Sequence, residues 1–252
     1  MFNLSTIFEN IKTLLENYWQ VFLFEGVKYT LILSAIAVFF GSIFGIIIAL
    51  GRMSNWKPFH SLNKKKVKKG FIYKVSEFNP ISFLCSAYTE VLRDTPLLLQ
   101  LYLFVIILPT ILKIPGFSMF TWTAVALAFN SAAYVSELIR SGIQAVDKGQ
   151  TEAARSLGMN KFQTMVKVVL PQAVKNILPA IGNECIALLK ETSVAGYVTV
   201  VDLTRAANLI RTNTGDAIYP LVLLALVYLL IVVLMTKLLS IFERRLQKSG
   251  KR

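Results

Sequence analysis

The sequence predicts an all-α membrane protein with five transmembrane helices in a single domain, and three observations support this. Hydrophobic residues make up 55% of the 252 residues and charged residues only 16%, below the roughly 25% that soluble domains carry. Long segments free of charge recur along the chain. Basic residues are concentrated between those segments. Because backbone polar groups in lipid must be satisfied internally, each apolar segment is expected to be a helix.

The N-terminal segment 1–20 places apolar side chains at nearly helical spacing. This spacing indicates either an amphipathic helix on the membrane surface or an early extension of the first span. Glu9, Lys12 and Glu16 interrupt the segment, so we do not expect a cleaved signal peptide.

The predicted spans are the segments with enough apolar residues, about 20, to cross the hydrocarbon core as a helix. They are 21–51, 80–112, 114–145, 161–195 and 216–244. The fourth contains several charges and two prolines, Pro171 and Pro179. It is therefore expected to be kinked and shielded from lipid by other helices. Residues 196–215 are expected to form an outer segment between the last two spans.

Basic residues predict the orientation, because Lys and Arg collect in cytoplasmic loops. The segments 52–79, 146–168 and 237–252 hold two thirds of all Lys and Arg. Five spans with the N-terminus outside and the C-terminus in the cytoplasm place all three segments inside. The net charge of +13 is therefore interpreted as topology, not as nucleic-acid binding. The run Lys64–Lys69 is either a topological anchor or a contact for anionic lipid headgroups.

Two further patterns bear on packing and chemistry. Gly41 and Gly45 form a small-residue pair that permits close helix contact, either within one subunit or between subunits. His60 is the single histidine, and Cys85 and Cys185 match no metal-ligand spacing, so no metal site is expected. No phosphate-binding loop of the G-x-x-x-x-G-K-[S/T] type occurs, and the chain is not expected to be an enzyme.

The connection between the third and fourth predicted spans is expected to contain a short helix over 149–159. Thr151 is expected to cap its N-terminus. Gly158 fits the left-handed position that ends a helix, and Asn160 with Gln163 fits a capping box that opens the next helix.

One face of this short helix is small and smooth, with Ala153, Ala154 and Ser156, and with Leu157 as one larger side chain. Glu152 lies in the first turn, where a negative charge favours the helix dipole. Such a face suits docking into a groove of another protein. The alternative is a plain surface connection between two spans.

These residues carry a resemblance to a known family. Glu152-Ala153-Ala154, Gly158 and Leu170-Pro171 resemble the EAA signature of permeases in ATP-binding-cassette importers. Further fragments, in the expected order, resemble the polar amino-acid uptake branch of that family: Arg93-x-Thr95-Pro96, Ala132-Ala133-Tyr134 and Leu188-Leu189-Lys190-Glu191-Thr192-Ser193.

The resemblance implies a permease in the bacterial cytoplasmic membrane that moves a polar amino acid by alternating access. It also implies a second permease subunit, identical or related, two copies of an ATPase subunit that uses ATP and Mg, and an external substrate-binding protein. The short helix would be the coupling helix that enters a cleft of the ATPase, a role that falls on Glu152, Ala153, Ala154 and Gly158. The chain itself would bind no cofactor, and which amino acid is carried stays open.

Polar residues at helical spacing within the predicted spans indicate a substrate path. The candidates are Glu90, Arg93 and Gln100 on one face of the second span, Asn130, Tyr134 and Glu137 in the third, and Asn183 in the fourth. Arg93 is suited to a carboxylate, and Glu137 or Glu90 to an ammonium. Alternatively, these groups satisfy one another or face the second permease.

The sequence disfavours two other classes of function. Ionisable residues within spans also occur in self-contained secondary transporters and channels, but five spans without repeated halves disfavour that class. A membrane enzyme is disfavoured because no His–carboxylate cluster or nucleophile motif is present.

Overall fold

The computed structural model describes residues 4–60, 70–114, 116–198 and 200–249, and the run Lys64–Lys69 lies outside them. Every regular element in the described residues is helical, which confirms the all-α prediction. By length and apolar composition, Glu9–Arg52 and Tyr219–Arg245 each qualify to cross a bilayer within these residues, and the bent pair Pro80–Asp94 and Leu97–Leu112 qualifies together. The remaining long helices are interrupted by polar residues and fall outside this composition.

The first predicted span and the segment before it form one helical run. Helix α1 (Leu4–Trp19) continues through a π-helical segment, Gln20–Val27, into α2 (Lys28–Arg52). Of the two alternatives for the N-terminus, the structure has the extension of the first span. Leu14 and Phe22 are buried in a cluster with Leu203, Ile210 and Leu223, which lie towards the C-terminal end of the chain.

The second predicted span is broken. After the short α3 (Phe71–Glu77), it consists of α4 (Pro80–Asp94), α5 (Leu97–Tyr102), a π-helical segment (Leu103–Ile107) and α6 (Leu108–Leu112). The chain bends by 110° between α4 and α5. Thr95 and Pro96 at the bend have extended backbone angles. Thr95 is extended because a residue before proline is pushed away from helical conformation.

The third predicted span is α7 (Met119–Gln144), which packs along α2. A Cβ atom added at Gly41 would lie 2.5 Å from Ser131 Oγ, and one added at Gly45 would lie 2.7 Å from Val135 Cβ. The glycine pair therefore permits close contact within the subunit, which settles the alternative left open by the sequence.

The remaining helices are α8 (Lys148–Ser156), α9 (Lys161–Thr164), a π-helical segment (Met165–Val169), α10 (Leu170–Glu191), a 3-10 segment (Thr192–Val198), α11 (Leu203–Thr214) and α12 (Tyr219–Ser249). Pro179 lies inside α10. The central core joins the spans through buried residues such as Leu33, Leu101, Leu127 and Leu188.

Helix α11 is held to the first predicted span by a buried polar contact. The backbone N–H of Leu203 donates to Thr30 Oγ1 at 3.1 Å. Asp202 caps α11 by accepting from the backbone N–H groups of Thr204 and Arg205, at 3.1 and 2.8 Å. Because the Asp202 carboxyl is buried, its pKa is raised to about 6.

Candidate functional site

The short helix α8 begins earlier than the sequence indicated. Its N-cap is Asp147, whose Oδ1 accepts from the backbone N–H of Gly149 at 2.7 Å. The prediction that Thr151 caps the helix is wrong, because the chain is already helical from Lys148 onward. A carboxylate outcompetes a hydroxyl here, since it accepts the free N–H and also favours the positive end of the helix dipole.

The end of α8 follows the sequence prediction. Gly158 has a φ of 85°, in the left-handed region. The backbone N–H of Met159 donates to the Ala154 carbonyl at 3.2 Å, and the Arg155 guanidinium donates to the Met159 carbonyl at 2.7 Å. The turn after α8 is therefore fixed by several hydrogen bonds.

The capping box at the next helix is also confirmed. The Gln163 N–H donates to Asn160 Oδ1 at 2.8 Å, and the Asn160 N–H donates to Gln163 Oε1 at 2.9 Å. Because both ends of the connection are capped, α8 and the start of the next helix form a short, rigid hairpin.

Exposure divides α8 into two faces. Ala154 is buried against the rest of the chain, whereas Glu152 and Ala153 are exposed. Leu157, just after the helix, is 83% exposed. A large apolar side chain in this position is free to enter a groove on another protein.

Among the candidate path residues, Gln100 and Asn130 are buried and bound to each other. Gln100 is 2% exposed and Asn130 3%, and the Asn130 amide donates to Gln100 Oε1 at 2.9 Å. The Gln100 amide donates in turn to the carbonyls of Leu92 and Thr95 at 2.7 and 3.0 Å. Gln100 thus satisfies backbone groups freed at the bend, and it does not share a helix face with Glu90 and Arg93 as the sequence suggested.

Glu137 is engaged in ion pairs within the chain. Its carboxylate accepts from Arg52 Nη1 at 2.7 Å and from the Arg140 guanidinium, and Arg93 Nη1 lies 3.9 Å away. Glu137 therefore joins the end of α2 to the end of α7, as the alternative interpretation of mutually satisfied charges expected.

A second group of polar side chains lies between α4, α7 and α10, and we call it the polar face: Arg93, Tyr134, Glu184 and Glu191. The Arg93 guanidinium lies 5.6 Å from the centre of the Tyr134 ring. Tyr134 interacts electrostatically with both glutamates, and Glu184 interacts electrostatically with Arg93. In the part of the chain that the structure describes, neither glutamate forms an ion pair. Asn183 and Glu90 are exposed.

A helical chain with an exposed, doubly capped connection and a polar face between helices matches a known family over most of its length. Residues 70–248 match the family described as binding-protein-dependent transport system inner membrane component. The chain belongs to this family. Its members are transport components and not enzymes, and the family implies an ATPase, which uses ATP, and a substrate-binding protein as partners.

Named relatives and solved structures agree with the family. The chain is 37% identical over 230 residues to the arginine transport system permease protein ArtQ of Bacillus subtilis, covering 90% of this chain and 94% of the relative. It is 36% identical over 225 residues to the putative glutamine transport system permease protein GlnP of Rickettsia conorii, covering 89% and 93%.

A crystal structure of an amino acid ABC transporter with histidines superposes with a TM-score of 0.77 at 41% identity, covering 92% of this chain and 96% of that one. The MetNI methionine ABC transporter in an inward-facing conformation superposes with a TM-score of 0.67 at 17% identity, covering 89% and 96%, and supports the fold alone. The chain therefore has the fold of a membrane-spanning ABC permease.

In this permease, the sequence pattern did not identify two members of the polar face, Glu184 and Glu191. Glu184 and Glu191 are seven residues apart on α10, a spacing that places both on one face of the helix. The signal was present in the spacing, but the glutamates were interpreted only as charges that interrupt a span. Their proximity to Arg93 and Tyr134 depends on how three helices pack, which spacing alone does not give.

Proposed function

We propose that the chain is the permease subunit of an importer for a polar amino acid in the bacterial cytoplasmic membrane. It would cross the membrane five times, with the N-terminus outside and the C-terminus in the cytoplasm. It would pair with an identical or related permease, two ATPase subunits and an external substrate-binding protein. The observation that carries the proposal is the rigid hairpin at α8, which leaves Leu157 exposed at 83% in a chain whose relatives are named for glutamine and arginine transport.

The coupling step follows from the rigidity of the hairpin. An ATPase that binds Glu152, Ala153 and Leu157 and then closes would displace α8. Because the turn at Gly158 and the capping box hold α8 to the next helix, the displacement passes into α10. Reorientation of α10 against α7 would then open the polar face to the other side of the membrane.

The substrate path is proposed along the polar face with Asn183 and Glu90 at its exposed edge. An amino acid carries an ammonium and a carboxylate, which match the unpaired glutamates and Arg93. Gln100 and Asn130 are not proposed as path residues because they are buried and bonded to each other. Glu137 is not proposed because Arg52 and Arg140 already neutralise it.

Neutralising one carboxylate of the polar face is expected to slow transport. Glu184→Gln should lower the rate of ATP-driven uptake by about tenfold, because a hydrogen bond to a charged group contributes about 1.5–3 kcal/mol. The measurement is uptake into proteoliposomes at saturating binding protein. Glu243→Gln, the same chemical change at the cytoplasmic end of α12, should leave the rate unchanged. Equal rates for both variants and the wild type would remove Glu184 from the path.

The proposed function as a whole predicts which components uptake requires. Proteoliposomes containing the permease should accumulate a radiolabelled amino acid only when the ATPase, ATP with Mg and the substrate-binding protein are all supplied. Glutamine and arginine are the first substrates to test. Accumulation driven by an ion gradient alone, without ATPase or nucleotide, would contradict the proposal and favour a self-contained secondary transporter.

A further inference from the structure

A cleft of about 800 Å³ opens beside α8, between this helix, the end of α7 and the segment that leads into α10. Its lining residues are Ile143, Gln144, Val146, Lys148, Thr151, Arg155, Lys161, Thr164, Met165 and Val169. Apolar side chains form the floor, with Val146 and Val169 buried. Cationic side chains stand at the exposed mouth. The cleft therefore suits a ligand with an apolar body and an anionic end.

The cations at the mouth have no acidic counterpart. Lys148, Arg155 and Lys161 are exposed, and no Asp or Glu lines the cleft. In the residues described, none of the three forms an ion pair. The Arg155 guanidinium is held in place by its bond to the Met159 carbonyl at 2.7 Å. Three like charges close together repel one another, so an anion seated among them is favoured.

The cleft is continuous with the docking face of α8. Lys148, Thr151 and Arg155 follow one another at i, i+3 and i+7, so they lie along one flank of the helix. Leu157 follows the helix, and Phe162 stands one residue after Lys161 with 76% of its surface exposed. Two large apolar side chains so exposed beside a capped hairpin are typical of a surface that another protein or the membrane covers.

We propose that the cleft receives an acidic segment of the ATPase subunit, with Leu157 and Phe162 as apolar anchors on either side. The proposal rests on the proposed function and deepens it, because it names the chemistry of the partner surface. The partner segment carries at least one Asp or Glu for Lys148 and Lys161 and one apolar side chain for the floor. The interface is then wider than the EAA helix, and its charges set the rate and orientation of docking.

The test compares two double charge reversals with the same change in net charge. Lys148→Glu with Lys161→Glu alters the mouth of the cleft. Lys74→Glu with Arg245→Glu alters two exposed cations that lie outside the predicted spans and do not line the cleft. The full-length permease is placed in nanodiscs of neutral phosphatidylcholine, and the Kd for its cognate ATPase is measured at low and high salt.

The cleft variant is expected to bind the ATPase about tenfold more weakly at low salt. Wild-type affinity should fall as salt rises, because salt screens the attraction between the lysines and the acidic partner segment. The affinity of the cleft variant should not fall, because salt there screens the repulsion between the introduced glutamates and that segment. The Lys74 and Arg245 variant should behave as the wild type. Wild-type affinity and salt dependence in the cleft variant would overturn the proposal.

Two other outcomes are distinguishable. If the wild-type permease bound the ATPase only in nanodiscs containing anionic lipid, and the cleft variant lost that lipid dependence, the cleft would be a lipid site and the proposal would be overturned. If the wild type neither bound the ATPase nor supported ATP-driven uptake in any nanodisc or vesicle, the proposed function itself would fail. If all variants bound the ATPase normally, only the proposal for the cleft would be contradicted, and the proposed function would stand.

Discussion

Replacing Gly158 by aspartate is expected to abolish ATP-driven uptake. Gly158 has a φ of 85°, and a residue with a side chain pays about 1–2 kcal/mol in that conformation. Nothing lies within 4 Å of the position a Cβ would occupy, so the side chain has room in the chain alone. On the proposed docking face, however, the carboxylate would be buried against the ATPase without a partner, which is strongly unfavourable.

The measurements are ATPase co-purification and uptake in proteoliposomes. Gly215→Asp is the matched control, because Gly215 also has a positive φ of 69° and open space at its Cβ, but it lies between α11 and α12, away from α8 in the chain. Both variants carry the same backbone strain and the same added charge. Only Gly158→Asp should lose the ATPase, and a Gly158→Asp permease that docks and transports normally would remove α8 from the coupling route.

Enlarging Gly41 is expected to destabilise the permease, and a large side chain there is expected to prevent folding. Gly41 is buried where α2 meets α7, and its Cβ would already lie 2.5 Å from Ser131 Oγ and 2.6 Å from Ser131 Cβ. Overpacking a close helix contact typically costs about 1–3 kcal/mol. Gly41→Ala should therefore lower the thermal stability in detergent, and Gly41→Leu should leave no folded protein by size-exclusion chromatography.

A size exchange separates this packing effect from a general effect on the helix. Gly41→Ala combined with Ser131→Gly removes the overlapping atoms and should recover most of the lost stability. Ile46→Phe adds bulk to an exposed position of the same helix and should have little effect. If Ser131→Gly failed to rescue Gly41→Ala, the contact between α2 and α7 would not explain the loss.

Features set by local chemistry were predicted from the sequence. Charge-free segments marked the apolar helices because only such segments are stable in lipid. Gly158 and the Asn160–Gln163 capping box were predicted because helix ends depend on a few neighbouring residues. The start of α8 was misplaced for a local reason as well, since Thr151 and Asp147 both suit an N-cap and the chain became helical at the earlier one.

Features set by tertiary packing were not predicted. Arg52 and Glu137 are 85 positions apart, so their ion pair could not be inferred from spacing, and Glu137 was assigned to the path instead. Gln100 was placed on a continuous face with Arg93, because the bend at Pro96 was not expected. The polar face needs three helices to meet, and its two glutamates acquired a functional interpretation only when their neighbours were known.

The corner in the second span also bears on how force moves through the permease. A straight helix transmits a displacement along its axis. In a chain bent by 110°, a displacement along the axis of one helix moves the next helix sideways. Helix α4, on one side of the bend, is bound to the end of α2, because Ser82 Oγ donates to the Arg52 carbonyl at 2.8 Å. It is also bound to α7, where Thr89 Oγ1 and Ser136 Oγ lie 3.2 Å apart. On the proposed function, a movement of α4 would reach α5 as a rotation about Thr95 and Pro96. The hydrogen bonds from the Gln100 amide to the Leu92 and Thr95 carbonyls would oppose that rotation.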